Sequence, residues 1–340
     1  MKVLQIMAGD SRGGAETFFL DAVRAVHETP IEQRVVTRFN HPYKVDEIKA
    51  CKIPVFDAKF NRIMKFPTKA VIQKQINDFN PDIVHHYMGR AGEFSIKSNA
   101  VNIGWYGGYY KPSRFKHCTH HVGVTQDIVD HIVREGVPAS NAHVLHIYAE
   151  FEKGQPIDRA EFDTPDDVPL LLSLSRLHEK KAIDVLLEAL VKVPDAYLWI
   201  AGSGPIEAEL KQLTKDLNLE ARVRFLGWRD DRESLLATCD IVTFPSRYEP
   251  FGAVVIEAWA TEKPLVTAKA AGPKAYVTHE ENGLIVEIDD VDALAKNINR
   301  VIKDKDLAKH IINNGKKAYD ENFTCEVFKK NVTDLYQSVL

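Results

Sequence analysis

Pro245-Ser246-Arg247-Tyr248-Glu249-Pro250-Phe251-Gly252-Ala253-Val254-Val255-Ile256-Glu257-Ala258-Trp259-Ala260 reads as the end of a strand, a loop and a helix. The apolar run Asp240-Ile241-Val242-Thr243-Phe244 precedes it. Pro245 breaks that strand, Pro250 shapes the loop, and Gly252 opens a helix whose first residues are small and apolar. A helix start of this kind offers unpaired backbone N–H groups and the positive end of a dipole, which suits a hydroxyl or phosphate oxygen. At a rise of ~1.5 Å per residue, Glu257 lies roughly 8 Å along the axis from Gly252, with Glu249 on the loop before it. Two acids so spaced can hold both ends of an elongated polar ligand, although an ordinary strand–loop–helix explains the stretch equally well.

The rest of the chain decides how that element is used. At 340 residues two domains are expected, and 45% apolar with 27% charged residues is a globular composition. No apolar run approaches the ~18–20 residues that span a bilayer. Met1–Met7 reads as a short strand without the long apolar region of a cleavable signal. Cys51, Cys118, Cys239 and Cys325 form no C-x-x-C pair, which fits a reducing cytosol better than a disulfide scaffold or a zinc cage. Residues 1–150 carry 19 Lys/Arg against 15 Asp/Glu, and the remainder 25 against 33. A mildly basic first half can face an anionic acceptor or a membrane surface, and uneven solvated faces explain it as well.

Strand-like and helix-like segments alternate throughout. Val3–Met7, Arg34–Thr37, Ile53–Phe56, Asp82–His85, Val101–Trp105, His121–Thr125 and Val144–Ile147 are the expected strands of the first half. Glu150–Asp167 is acidic, holds Pro156 and Pro165, and reads as a linker. Leu170–Ser173, Tyr197–Ala201, Arg222–Leu226, Ile241–Phe244, Leu265–Thr267 and Leu284–Val286 continue the pattern, and Cys325–Val339 closes with helical spacing. The alternation predicts an α/β protein of two Rossmann-like, doubly wound domains facing each other across a cleft, with ligands at the carboxyl ends of the strands.

Four loops after expected strands carry suitable chemistry. Ala8-Gly9-Asp10-Ser11-Arg12-Gly13-Gly14-Ala15-Glu16 places paired glycines at a helix start, without the G-x-G-x-x-G spacing of a dinucleotide site. Ser175-Arg176-Leu177-His178-Glu179-Lys180-Lys181 offers a bidentate guanidinium and a point charge for phosphate oxygens, or merely a solvated charge run. Gly202-Ser203-Gly204-Pro205 is a tight turn, for a nucleotide's approach or simply for sharpness. The Glu249–Glu257 element is the fourth.

In order, Gly13-Gly14-Ala15-Glu16, Ser175-Arg176-Leu177-x-x-x-Lys181, Gly202-Ser203-Gly204-Pro205, Phe225-Leu226-Gly227, Glu249-Pro250-Phe251-Gly252 with Glu257-Ala258, and Asn282-Gly283-Leu284-Ile285-Val286 span nearly the whole chain. Their sequence resembles the retaining GT-B enzymes of glycosyltransferase family 4, the E-x7-E group. The resemblance implies an acceptor-binding domain over 1–151 and a nucleotide-sugar-binding domain over 152–321. It also implies a final helix, about 322–340, packed back on the first domain. It implies no metal and no cofactor, with a UDP-sugar or GDP-sugar as donor and a glycan or glycolipid as acceptor. Arg176 and Lys181 would hold the diphosphate, Glu257 the ribose, and Glu249 with the Phe251–Gly252 backbone the donor sugar. Gly13 and Gly14 would approach the phosphates. Ser175, Gly202, Gly204, Phe225, Leu226 and Ala253 would complete the donor site. Asp290-Val291-Asp292 and Asp304-Lys305-Asp306 precede expected helices and read as caps rather than metal ligands.

Departures from the family pattern are specific. The stretch Asn102-Ile103-Gly104-Trp105-Tyr106-Gly107-Gly108 lacks the His usual near the reacting carbon, which leaves Tyr106 as the nearest catalytic substitute. His85, Trp105, Tyr106 and Tyr109 are the acceptor-side candidates. Ala182 stands where Gly is common, and Ala271-Gly272-Pro273-Lys274-Ala275 lacks the usual acid. The expected protein is a metal-independent retaining glycosyltransferase of lipopolysaccharide, capsule or other cell-surface glycan synthesis. It would be cytoplasmic or peripheral on the inner face of the cell membrane. The alternatives are a catalytically silent GT-B scaffold and a GT-B nucleotide-sugar epimerase. Lys59-Phe60-Asn61-Arg62-Ile63-Met64-Lys65-Phe66-Pro67-Thr68-Lys69 interleaves basic and apolar residues, as either a loop over the core or a contact with anionic membrane.

Overall fold

Seven parallel strands form the first sheet: β1 Lys2–Met7, β2 Glu32–Thr37, β3 Val55–Asp57, β4 Ile83–Tyr87, β5 Val101–Tyr106, β6 His120–Gly123 and β7 Ala142–Val144. The structure is a computed structural model that describes residues 1–9, 14–40, 42–151 and 154–340. The spatial order is β3-β2-β1-β4-β5-β6-β7, with Val3 opposite Ile83 at the centre. Helices α1 Gly14–His27, α2 Pro42–Ala50, α3 Phe66–Phe79, α4 Met88–Gly92 and α5 Gln126–Arg134 cross between strands. Every residue of β4 is buried, as expected where both faces of a parallel sheet are covered. The last strand ends earlier than the apolar run Val144–Ile147 predicts. Leu145 N–H still reaches Gly123 O at 3.0 Å. One residue on, His146 Nδ1 lies 2.9 Å from Val124 O, so a side chain takes the carbonyl that the ladder would use.

The second sheet holds β8 Leu170–Leu174, β9 Tyr197–Ala201, β10 Val223–Gly227, β11 Ile241–Phe244, β12 Leu265–Ala268 and β13 Leu284–Val286, in the order β10-β9-β8-β11-β12-β13. Its helices are α6 Ile183–Val191, α7 Glu207–Asp216, α8 Arg232–Thr238, α9 Ala253–Ala260, α10 Ala271–Tyr276, α11 Val291–Lys303 and α12 Lys305–Asn322. Asp290 accepts from Ala293 N and Asp304 from Leu307 N, each at 2.9 Å, so both aspartates act as helix N-caps.

The chain divides into two compact units, Met1–Tyr148 with Cys325–Leu340, and Ala149–Thr324. The returning segment is α13 Cys325–Ser338. Within the first unit, Phe328 of α13 meets Phe18 edge-on at 5.6 Å, Lys329 pairs with Glu28 at 2.9 Å, and Tyr336 Oη lies 2.7 Å from His85 Nδ1. Among the described residues no helix is long and apolar enough to cross a membrane.

Candidate functional site

Strand order reverses between β8 and β11, so the loops after these two strands diverge and leave a crevice at their carboxyl ends. Sequence and topology therefore bring Ser175–Lys181 and Pro245–Gly252 side by side. Backbone bonds tie them: Arg247 N to Lys180 O at 2.9 Å and Tyr248 N to Lys180 O at 3.2 Å. Lys181 and Glu249 form an ion pair across the two loops. Ala182 follows at φ 53°, the left-handed backbone that explains why Gly suits this position. Arg176 is exposed at the mouth of β8 and makes no hydrogen bond or ion pair to any described residue.

Arg247 holds the arrangement. Its guanidinium reaches Asp184 Oδ1 at 3.0 Å, Asp184 Oδ2 at 2.6 Å, Asp289 Oδ1 at 2.6 Å and Glu179 O at 2.7 Å. The fork geometry locks three loops at once. From the other side α10 clamps the glutamate loop. Gly272 N–H donates to Glu249 O at 2.8 Å, and the Tyr276 hydroxyl donates to Phe251 O. A Cβ on Gly272 would collide with the Phe251 backbone.

Gly252 sits at φ 89° and caps α9 without any side-chain bond, which leaves the first N–H groups of the helix facing the crevice end of β11. Glu257 lies one turn inside α9, is 2% exposed, and pairs with Arg232 of α8. Burial pushes its carboxyl above the usual range, and Arg232 pulls it back. The hydroxyls of Ser175 and Ser246, at the ends of β8 and β11, are buried and bond to no described residue. Orphan hydroxyls at a strand-end crevice fit a polar ligand.

The glycines after β9 serve neighbouring loops. A Cβ on Gly202 would strike Ser175 O, and one on Gly204 would strike Leu177 O. Gly202 N–H bonds Gly227 O at 2.7 Å, which ties in the Phe225-Leu226-Gly227 turn. Close packing against the Ser175–Leu177 backbone is by itself enough to require glycine at both positions. Gly13 lies outside the described residues. Gly14 opens α1, and a Cβ there would meet nothing within 4 Å.

In the first unit the acceptor-side expectations need correction. His85 is fully buried on β4 and bonded to Tyr336. Trp105 is 2% exposed and stacks on Phe18 at 4.9 Å. Tyr106, expected as the catalytic substitute, is fully buried under Phe115 at 4.3 Å, its hydroxyl 2.8 Å from His121 Nδ1. Burial raises the phenol's pKa far above its ordinary value. All three sit on central strands covered on both faces, so their rings are core. Tyr109 alone of the four is half-buried, and its hydroxyl donates to Asp127.

Sequence reasoning missed Arg232, Arg247 and Tyr276. Arg247 stood inside the deciding stretch, but a single Arg after a strand carries no signature of the aspartate it will meet 63 residues away. Arg232 could have been suspected only from the need of a buried Glu257 for a cation.

Two doubly wound parallel sheets, each with its crevice at a strand-order reversal, define a GT-B architecture. Residues 154–318 match the family described as glycosyl transferases group 1. The chain is 30% identical to the lipopolysaccharide core biosynthesis glycosyltransferase LpsE of Rhizobium meliloti over 342 residues, covering 100% of this chain and 99% of that one. It is 31% identical to LpsD of the same organism, covering 99% and 97%. The crystal structure of Anabaena HepE in complex with UDP superposes with a TM-score of 0.87 at 22% identity, covering 99% of this chain and 100% of that one. The chain belongs to the glycosyltransferases, in a family of GT-B fold.

Proposed function

We propose that the chain is a retaining, metal-independent member of glycosyltransferase family 4 that moves a sugar from a nucleoside-diphosphate donor to a hydroxyl of a lipopolysaccharide-core acceptor. The reading rests on one arrangement: Arg176, the Lys181–Glu249 pair and the uncapped start of α9 converge on the β8/β11 crevice. Breaking the anomeric bond leaves positive charge on the sugar ring and negative charge on the departing diphosphate. Arg176, Lys181 and the α9 dipole stabilise the second charge. Glu249, fixed by Gly272 and paired with Lys181, aligns the donor sugar. Glu257, paired with Arg232, takes the ribose. The acceptor is held by the first unit, and its hydroxyl attacks on the face the diphosphate leaves, so the departing phosphate takes the proton. The two near-full-length relatives support the core-oligosaccharide role, and the UDP and UDP-glucose complexes of HepE favour a uridine donor. The protein acts on the cytoplasmic side of the membrane.

The test is incubation of the full chain with UDP-glucose, UDP-galactose and a GDP-sugar in the presence of EDTA, with and without core oligosaccharide. Expected are diphosphate release and a product whose anomeric coupling, read by NMR, matches the donor's. An inverted product, or turnover abolished by chelation, overturns the mechanism. Sugar interconversion without transfer identifies an epimerase. No donor turnover in folded protein identifies a silent scaffold.

A further inference from the structure

A second concavity of the Ala149–Thr324 unit lies away from the β8/β11 crevice. It encloses about 810 Å³ between the end of α6, the turn before β9, the last half of α11 and the first turn of α12. Pro194 and Asp195 of that turn lie just before β9, so the cleft opens at the amino ends of the strands, opposite to the crevice. Its volume falls within the range of roughly 300–1,000 Å³ that small-molecule sites occupy.

Its frame is anchored. Val193, Ile298 and Val301 are buried behind it in the core of the unit. Asn299 Nδ2 donates to Lys192 O at 2.9 Å and to Ala295 O at 3.1 Å, which ties the end of α6 to α11. Asp304 Oδ1 accepts from Leu307 N at 2.9 Å and so fixes the corner between α11 and α12. The side chains that line the cleft are therefore carried on backbone held in place by core and caps.

Charge identifies the occupant. Residues 151–340 carry 25 Lys/Arg against 33 Asp/Glu, yet Lys192, Lys296, Arg300, Lys303 and Lys305 gather on this one concavity. Lys192 pairs with Asp292, and Arg300 with Glu280 at 2.7 Å, and both acids stand outside the lining. Among the described residues, Lys296, Lys303 and Lys305 form no ion pair. The three acids of the lining are engaged elsewhere. Asp304 is the cap, and Asp306 complements the helix dipole in the first turn of α12. Burial lowers the pKa of Arg222, and Tyr197 and Asp195 oppose that shift, so Asp195 acts on a cation outside the lining. Three uncompensated ammonium groups, from α11 and the start of α12, match an anion with several charged oxygens in a row. An extended polyanion such as nucleic acid would need a longer basic track and would meet the net negative charge of the surrounding chain.

We propose that this cleft binds a small oligophosphate, either an inorganic chain or the phosphate tail of a nucleoside triphosphate, with Lys296, Lys303 and Lys305 on its oxygens. The site is separate from the β8/β11 crevice, so the two can be filled together. The proposal does not depend on which sugar is moved, and its test reads no turnover.

The test is calorimetric titration of the full chain, in EDTA and low salt, with inorganic tripolyphosphate and with ATP, each in the presence of saturating UDP to fill the crevice. Binding that UDP does not displace is expected, and it should weaken as salt rises. The combined K296Q/K303Q/K305Q variant should weaken it at least about thirty-fold at an unchanged melting temperature, since a cation ~4 Å from a phosphate is worth about a factor of five in water. K211Q/K215Q, which removes two charges from α7 outside the cleft, should bind as the wild type does. Tighter binding of ATP names a nucleotide as the ligand, and equal or weaker binding of ATP assigns the inorganic chain. Wild-type protein that binds neither anion once UDP is bound overturns the proposal. So does undiminished binding by the triple variant, or an equal loss in K211Q/K215Q. Should UDP itself not bind, the donor-site reading fails, while the comparison of wild type with the triple variant still decides the cleft.

Discussion

The Arg247 guanidinium grips both carboxylate oxygens of Asp184, at 3.0 and 2.6 Å, and so fixes the strand-end loop that carries Glu249 against the one that carries Lys181. Both partners are partly exposed, at 29% and 37%, so solvent screens the pair and its stability contribution is about 1 kcal/mol. Its effect on the site is expected to be larger. Arg247→Ala should raise the donor's KM at least about ten-fold, because aligned groups lose their registration. Arg247→Lys, with one point charge in place of a fork, should recover stability but little of the KM. Initial-rate kinetics and thermal melts on both variants check this. Wild-type KM in Arg247→Ala would remove Arg247 from the site.

Glu257 is a buried acid that, among the described residues, forms its ion pair with Arg232 alone. Removing that partner leaves a charge in an apolar setting, and since Arg232 is 42% exposed the cost is about 2 kcal/mol, below that of a fully buried pair. The cost has a pH sign. A carboxyl whose folded pKa is raised binds its proton more tightly in the native state, so stability falls as pH rises through that range. Arg232→Ala should therefore be nearly harmless at pH 5 and most damaging at pH 8. Arg232→Ala/Glu257→Gln should restore stability at pH 8 without restoring turnover. Denaturant melts at the two pH values settle it.

Gly272 has no room for a methyl, since the Phe251 backbone occupies the space. Gly272→Ala should push α10 off the glutamate loop and break the bond from Gly272 N–H to Glu249 O. We expect a loss of about 2 kcal/mol, the usual scale for overpacking, and at least a ten-fold fall in kcat. Full activity in a folded Gly272→Ala protein would falsify the role of α10 as the clamp on Glu249.

The first unit should be acid-labile. Burial holds His85 down to about 3, and His86 and His121 down to about 4, against an ordinary value near 6.5. Below pH 6.5 the unfolded chain takes up these protons and the native one does not, so stability falls as pH drops toward 4. Each imidazole contributes a slope of up to about 1.4 kcal/mol per pH unit. Urea unfolding at pH 7, 6 and 5 should show the decline. His86→Gln, which keeps a donor toward Asn102, should flatten the slope by one proton. An unchanged midpoint from pH 7 to 5 would count against all three.

The parallel sheets were legible because strands buried on both faces leave near-continuous apolar runs, as Leu170–Leu174 does. Glycine chemistry was legible where backbone conformation requires it, at Gly252 with φ 89°. Short helices were not: α10 has six residues, one of them proline, and no apolar period to detect. Tyr106 shows a second limit. A tyrosine at a strand end reads as catalytic or structural with equal ease, and only the packing of Phe115 over its ring decides. Arg247 and Arg232 show a third, because their worth lies in partners far away in sequence, and charge spacing along a chain does not encode such meetings.

The last helix has a consequence for biosynthesis. His85 and Tyr336 touch across 251 residues, so the β4 surface of the first unit is closed by a helix that is synthesised after the whole of the second unit. The second unit is one continuous segment, 149–324, and can complete its core while the first still waits for α13. The unit begun first is thus finished last. Premature termination before Cys325 would leave Phe18 and His85 uncovered in an otherwise assembled protein, a substrate for quality-control proteases.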